Sequence, residues 1–187
     1  MIIGITGTNG SGKGTVAEIL GEKGFESHSL SDELRRELKK RGIEENRDSL
    51  IAIGNELREK EGPATLSRRI LKTIDSGKSR NRDFVVDSIR NPAEIDELRK
   101  NKSFILIAVD APMELRYRRA KARGREGDFI SFGKFREQEE VQLRGSATGQ
   151  QLLKCMSLAD FRITNEGSME GLKGKVDSIL AKYSKQK

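Results

Sequence analysis

The stretch GTNGSGKGT, residues 7–15, constrains the fold more than any other part of the chain. Gly7, Gly10, Gly12 and Gly14 stand where side chains would keep a ligand from the main chain. Glycine tolerates positive φ and lets backbone N–H groups converge on an anion. The run Ile2 to Thr6 is short, branched and uncharged, and reads as a buried strand. Lys13 through Leu20 reads as a helix. The loop therefore lies between a strand and a helix N-terminus, where free N–H groups and the helix dipole favour phosphate. In that context Gly7-x4-Gly12-Lys13 matches the phosphate-loop pattern. One position departs from it: the Ser/Thr expected after the lysine is Gly14, and Thr15 follows. Asn9, Gly10, Ser11, Gly12, Lys13, Gly14 and Thr15 are the candidate nucleotide-binding residues, with Gly7 at the turn. The loop serves many chemistries, so it does not by itself name a reaction.

A chain of 187 residues can bury one sizeable core and is expected to form a single domain. The single cysteine, Cys155, excludes an intramolecular disulfide and a Cys-rich zinc site, and fits a reducing compartment. The opening residues are needed as a strand and carry no basic leader, so no signal peptide is expected. The apolar run Phe104 to Val109 is too short to cross a bilayer. These features give the expectation of a soluble, cytoplasmic protein. The formal charge of +7 attracts anions, nucleotides and RNA alike. Basic residues are not interleaved with aromatics and Trp is absent, which disfavours a single-strand stacking platform.

Strand-like segments recur at Ile2–Thr6, Phe25–Leu30, Phe84–Asp87, Phe104–Asp110 and Phe161–Thr164, with helix-like segments between them. This alternation predicts an α/β fold with a parallel sheet covered on both faces. In the last helix Met169, Leu172, Val176, Ile179 and Tyr183 form a core-facing stripe. Two insertions exceed a simple crossover. Residues 31–82 hold several helices, one with Ser31 as its expected N-cap and another with the stripe Leu66, Ile70, Leu71 and Ile74. Residues 123–149 are rich in Arg, Glu and Gly and poor in strong core residues, which suits either a flap over a site or a solvated surface helix.

Phosphoryl transfer needs positioning, a metal, and positive charge along the path of the transferred group. Asp87 closes the strand FVVD, at the sheet edge where parallel sheets bind ligands. It can hold magnesium through water or take a proton from a substrate, and Arg90 follows at the same edge. Arg119 and Arg123 are four apart, so they share a helix face and can clamp an anion; the alternative is a solvated basic face. Arg116, Arg125 and Arg144 extend the set. Arg35, with Arg36 and Asp32 beside it, can fork onto a second phosphate. Asn165 follows the last strand and can meet an adenine or simply shape a turn. His28 and Cys155 read as structural.

Gly7-x4-Gly12-Lys13-Gly14-Thr15 resembles the GKGT loop of the P-loop nucleoside monophosphate kinases, such as adenylate and cytidylate kinases. SLSDELRR, DSIRNP and RRAKARGR resemble their acceptor-binding helices, the region after their third strand, and the lead into their lid. The chain is also similar to adenylate-kinase-related proteins, mostly archaeal, that are compared with dephospho-coenzyme A kinase. The resemblance implies a five-stranded parallel sheet of P-loop type, with a core of 1–30, 83–122 and 150–187. It also implies an acceptor-binding insertion at 31–82 and a short helical lid at about 123–149. ATP and Mg2+ are the implied cofactors and a small nucleotide the implied acceptor. Lys13, Asp87, Arg119 and Arg123 would act in catalysis, Thr15 and Asp87 beside the metal, and Arg35, Arg90 and Asp32 at the acceptor. Dephospho-coenzyme A kinase, a nucleic-acid-associated ATPase and a non-catalytic nucleotide sensor remain as alternatives.

Overall fold

The computed structural model describes residues 1–76, 82–124, 130–144 and 150–184. Five parallel strands form one sheet in the order β2-β3-β1-β4-β5. They are β1 (Ile2–Gly7), β2 (Glu26–Ser29), β3 (Phe84–Ile89), β4 (Phe104–Asp110) and β5 (Phe161–Thr164). This is the expected α/β P-loop architecture, with the loop-bearing strand β1 at the centre.

Side chains alternate across a strand, so each strand feeds both faces of the sheet. Ile3, Ile5, Val85, Ile105, Ile107 and Ile163 pack under α1 (Lys13–Glu22) and α9 (Met169–Ser184). Ile2, Val86, Phe104 and Leu106 pack on the other face. There they meet α2 (Leu30–Arg41), α3 (Arg47–Glu61), α4 (Thr65–Ser76), α5 (Pro92–Leu98) and α8 (Leu152–Ser157). Cys155 of α8 is fully buried in this second core, and burial pushes its thiol up to about 12. His28 tilts against the ring of Phe84 with centroids 5.8 Å apart.

Local signals set the helix starts. Ser29, rather than Ser31, caps α2, because its hydroxyl accepts from the Ser31 N–H at 3.3 Å. Asn91 and Glu94 form a capping box around Pro92 at the start of α5. On α9, Leu172, Val176 and Ile179 are buried, but Met169 lies at the helix start and is exposed, which corrects the expected stripe. On α4, Leu66 and Ile70 are buried while Leu71 and Ile74 pack at the margin of the core.

β3 runs two residues past Asp87. The β1–β3 register pairs Gly4 with Val86 and Thr6 with Ile89, so β3 carries an extra residue there. Ser88 absorbs it with φ 66°, and Thr6 Oγ1 donates to Ile89 O at 2.8 Å beyond it. Such a bulge kinks a strand and re-aims the residues on either side. Here it lies between Asp87 and Arg90.

The segment between α6 (Met113–Arg123) and α8 contains α7 (Phe132–Arg144). It is not coreless as its composition suggests. Phe135 and Glu139 are almost fully buried, and Tyr117 packs against Phe132 and Phe135 with centroids 5.3 and 5.6 Å away. Arg125 lies outside the described residues, as does the side chain of Arg144.

Candidate phosphate-binding site

The loop joins β1 to α1 and is braced by its own protein. Thr8 Oγ1 donates to Asp110 Oδ1 at 2.6 Å, and the buried Ser11 hydroxyl donates to Thr8 O at 2.9 Å. The Ser11 side chain therefore faces inward. The Asn165 amide donates to Ser11 O at 2.9 Å, and Asn165 N donates to Asp110 O at 2.7 Å. That amide is used on the loop itself.

The glycines have reasons the sequence does not display. A Cβ on Gly7 would lie 1.9 Å from Val109 O, and one on Gly10 would lie 2.4 Å from Arg116 O. A Cβ on Gly12 would lie 2.2 Å from Asn165 Nδ2. These three clear protein atoms rather than only a ligand. Gly14 alone of the four has open space around it and lines the cavity below.

Lys13, at the first turn of α1, donates from Nζ to Thr8 O at 2.6 Å. Burial, then the nearby Arg90 charge, pulls its ammonium down to about 8, against the opposing pull of Asp87 and Glu139. A cation held in that condition gains a partner when a phosphate arrives.

A cavity of about 1170 Å3 opens from the loop. Asn9, Gly10, Gly12, Lys13, Gly14 and Thr15 form its floor, and Arg119 and Arg123 stand over the same end. Arg119 Nη1 donates to Asn165 O at 2.9 Å, and Arg123 Nη2 donates to Asn9 Oδ1 at 3.3 Å. Both arginines are thus held at the loop.

Asp87 and Arg90 line the middle of the cavity. Asp87 Oδ1 and Arg90 Nη1 are buried atoms with no hydrogen-bond partner among the described residues. Burial pushes the Arg90 guanidinium below its ordinary value, while Asp87 and Glu139 support its charge. Buried polar atoms are normally paired, so these two stand out in the cavity wall.

The far end is built by α2, α3 and α4. Arg35 and Asp32 line it, and Arg35 already bonds Asp32 at 2.7 Å and Glu45 at 2.8 Å. Leu34, Leu50, Ile51 and Leu66 supply an apolar wall. Arg36 turns instead to Glu33. Sequence reasoning passes over Arg47, Arg58, Glu94, Glu139 and Gln150. Arg58 lines the cavity and is buried against Glu94, bonding Oε1 at 2.9 Å. Glu94 Oε2 accepts from the Arg90 and Asn91 N–H groups at 2.9 and 3.0 Å. The Asn91-Pro92-x-Glu94 capping box was a readable signal for Glu94; Arg58 had none.

Arg116, noted only as an extension of the arginine set, is a structural hub. Its Nε donates to Ala111 O at 2.9 Å, and its Nη1 donates to Asn9 O at 3.3 Å and to Glu139. No cluster of three or more His, Cys, Asp or Glu able to hold a metal occurs among the described residues. Thr15 and Asp87 line the same cavity. No helix among the described residues is long and apolar enough to cross a membrane.

Residues 3–143 match the family AAA_18, described as an AAA domain. The UPF0200 protein of Pyrococcus horikoshii is 31% identical over 185 residues, covering 97% of both chains. A UPF0200/UPF0201 protein of Archaeoglobus fulgidus is 34% identical over 186 residues, and this chain spans 56% of its length. Among solved structures, TT1252 from Thermus thermophilus superposes with a TM-score of 0.62, 24% identity and 97% coverage of both chains. The dephospho-CoA kinase from Campylobacter jejuni does so with a TM-score of 0.53 and 16% identity, covering 97% of this chain and 96% of that one. The fold is that of the P-loop kinases, and the chain belongs to the AAA_18 AAA-domain family and to the UPF0200 proteins.

Proposed function

We propose that this protein transfers the γ-phosphoryl group of ATP, with Mg2+, to the phosphate of a nucleoside or deoxynucleoside monophosphate. The observation that carries the reading is that one cavity of about 1170 Å3 is lined by both the phosphate loop and the α2–α4 segment. Pockets for one drug-sized ligand run to roughly 300–1,000 Å3. This one has room for a donor at the loop and an acceptor beyond Asp87, with their phosphates meeting between Lys13 and Arg90.

In this reading the loop N–H groups and Lys13 take the donor's β- and γ-oxygens. Thr15 and Asp87 would hold the water shell of a magnesium ion carried by the nucleotide, which would supply charge neutralisation at the phosphates. Arg90 grips the acceptor phosphate, and Arg35 does so after exchanging Asp32 or Glu45 for it. Arg119 and Arg123 sit where charge gathers on the transferred group. Asn165 supports the loop. A cytoplasmic setting suits an enzyme fed by ATP.

One observation favours a second reading. Asp87 Oδ1 is buried without a donor. An ionised phosphate acceptor brings no proton, whereas a hydroxyl acceptor does. With a hydroxyl, as in dephospho-coenzyme A, Asp87 becomes the general base.

The test is a transfer panel. Purified protein, magnesium and γ-labelled ATP meet each ribo- and deoxynucleoside monophosphate, dephospho-coenzyme A and a structured RNA. Label on a monophosphate is the expected result. Label on dephospho-coenzyme A replaces it with the second reading. No labelled acceptor, with phosphate release stimulated by RNA, overturns both.

A further inference from the structure

α7 carries a residue that its surface composition does not explain. Glu137 and Glu140 are exposed, yet Glu139 between them has no exposed surface. A buried carboxylate needs partners, and this one has two from different parts of the fold. Arg116, itself buried, donates from Nη1 to Glu139 Oε2. On the other side Arg47 Nη2 stands 3.5 Å from Glu139 Oε1, and Arg47 Nη1 donates to the adjacent Gln138.

The two arginines belong to different helices, α6 and α3. Arg116 also donates to Asn9 O, and its own backbone oxygen leaves no room for a Cβ at Gly10, so it packs directly against the phosphate loop. Arg47 begins α3 and lines the cavity. The Glu139 charge also acts on Lys13 and Arg90 from one point, supporting the charged form of each.

We propose that Glu139 is a positioning residue that ties the phosphate loop, through Arg116, to the acceptor insertion, through Arg47, so that donor and acceptor binding are coupled. The inference rests on the nucleotide reading of the loop and adds a regulation to it. Coupling of this kind is reciprocal: whatever seats α3 against α7 tightens the loop's grip on a nucleotide, and a nucleotide seats α3.

The experiment is calorimetric titration of Mg·ADP into the full chain and into Arg47→Gln, Arg47→Lys, Glu139→Gln and the double variant of the two glutamine changes. Arg47→Gln is expected to weaken Mg·ADP by ~5–10-fold, within the usual range for coupled sites. Arg47→Lys should recover part of that loss. The double variant should bind no more weakly than Glu139→Gln alone, because both changes cut one connection. Unchanged affinity in Arg47→Gln overturns the coupling. So do strictly additive losses, which mark direct contact of Arg47 with the nucleotide. Should Glu139→Gln not fold, Glu139→Asp, which keeps the charge but shortens the reach, takes its place in the cycle with Arg47→Gln, and the same non-additive result is expected. Wild-type protein that binds no Mg·ADP overturns the nucleotide reading itself, an outcome separate from a normal wild type with insensitive variants.

Discussion

The side-chain amide of Asn165 donates to the carbonyl oxygen of Ser11 at 2.9 Å, joining positions 154 residues apart. The bond holds the loop after the last strand against the crown of the phosphate loop, and Arg119 bonds the Asn165 carbonyl from above. Asn165→Leu leaves the buried Ser11 oxygen without its donor. The expected cost is ~1–3 kcal/mol of stability. Mg·ADP affinity should fall as well, since the loop is no longer held. Urea unfolding and calorimetric titration measure the two effects separately.

Two glycine substitutions should behave in opposite ways. Gly7→Ala forces a Cβ into Val109 O at a φ of 140°, so the sheet must move. We expect a loss of more than ~2 kcal/mol in urea unfolding, as for an incompatible glycine replacement. Gly14→Ala meets open space and should hold or raise stability by up to ~1 kcal/mol. Gly14 lines the cavity, so its replacement should instead weaken Mg·ADP binding.

Lys13 gives a pH signature. Its ammonium titrates near 8, against 10.5 in the unfolded chain. Between these values the unfolded chain binds more protons, so this group's contribution to stability rises with pH across the window. A bound phosphate restores the proton. Mg·ADP binding at about pH 8.5 should therefore be accompanied by proton uptake, read from calorimetry in buffers of different ionisation enthalpy. The uptake should vanish in Lys13→Met.

Arg58 and Glu94 form a buried ion pair, with 3% and 0% of their side chains exposed. Glu94→Ala strands the Arg58 charge and removes the oxygen that accepts the Arg90 and Asn91 N–H groups. Breaking one side of such a pair costs ~3–5 kcal/mol. Thermal and urea unfolding should show a loss of that size. A loss below ~1 kcal/mol would mean that water reaches Arg58.

The phosphate loop and five strands were legible because their signals are local: a glycine spacing and branched apolar runs. Lys13, Asp87 and Arg90 could be placed at one sheet edge for the same reason. Glu139 was not legible, because nothing in its own helix says that an exposed-looking glutamate meets Arg116 and Arg47 from distant segments. Nor was the bulge at Ser88, which depends on the pairing of β3 with β1. The sequence gives four loop glycines one apparent purpose, while their neighbours in space give three of them another.

The proposed place of Lys13, at the phosphoryl group in flight, can be tested directly. The most direct measurement is the turnover of wild-type and Lys13→Met protein, both shown to be folded, with labelled ATP and the acceptor selected in the transfer panel. A fall in kcat of ~10²–10³ or more with the fold intact is expected. Near-normal turnover in the folded variant would contradict it.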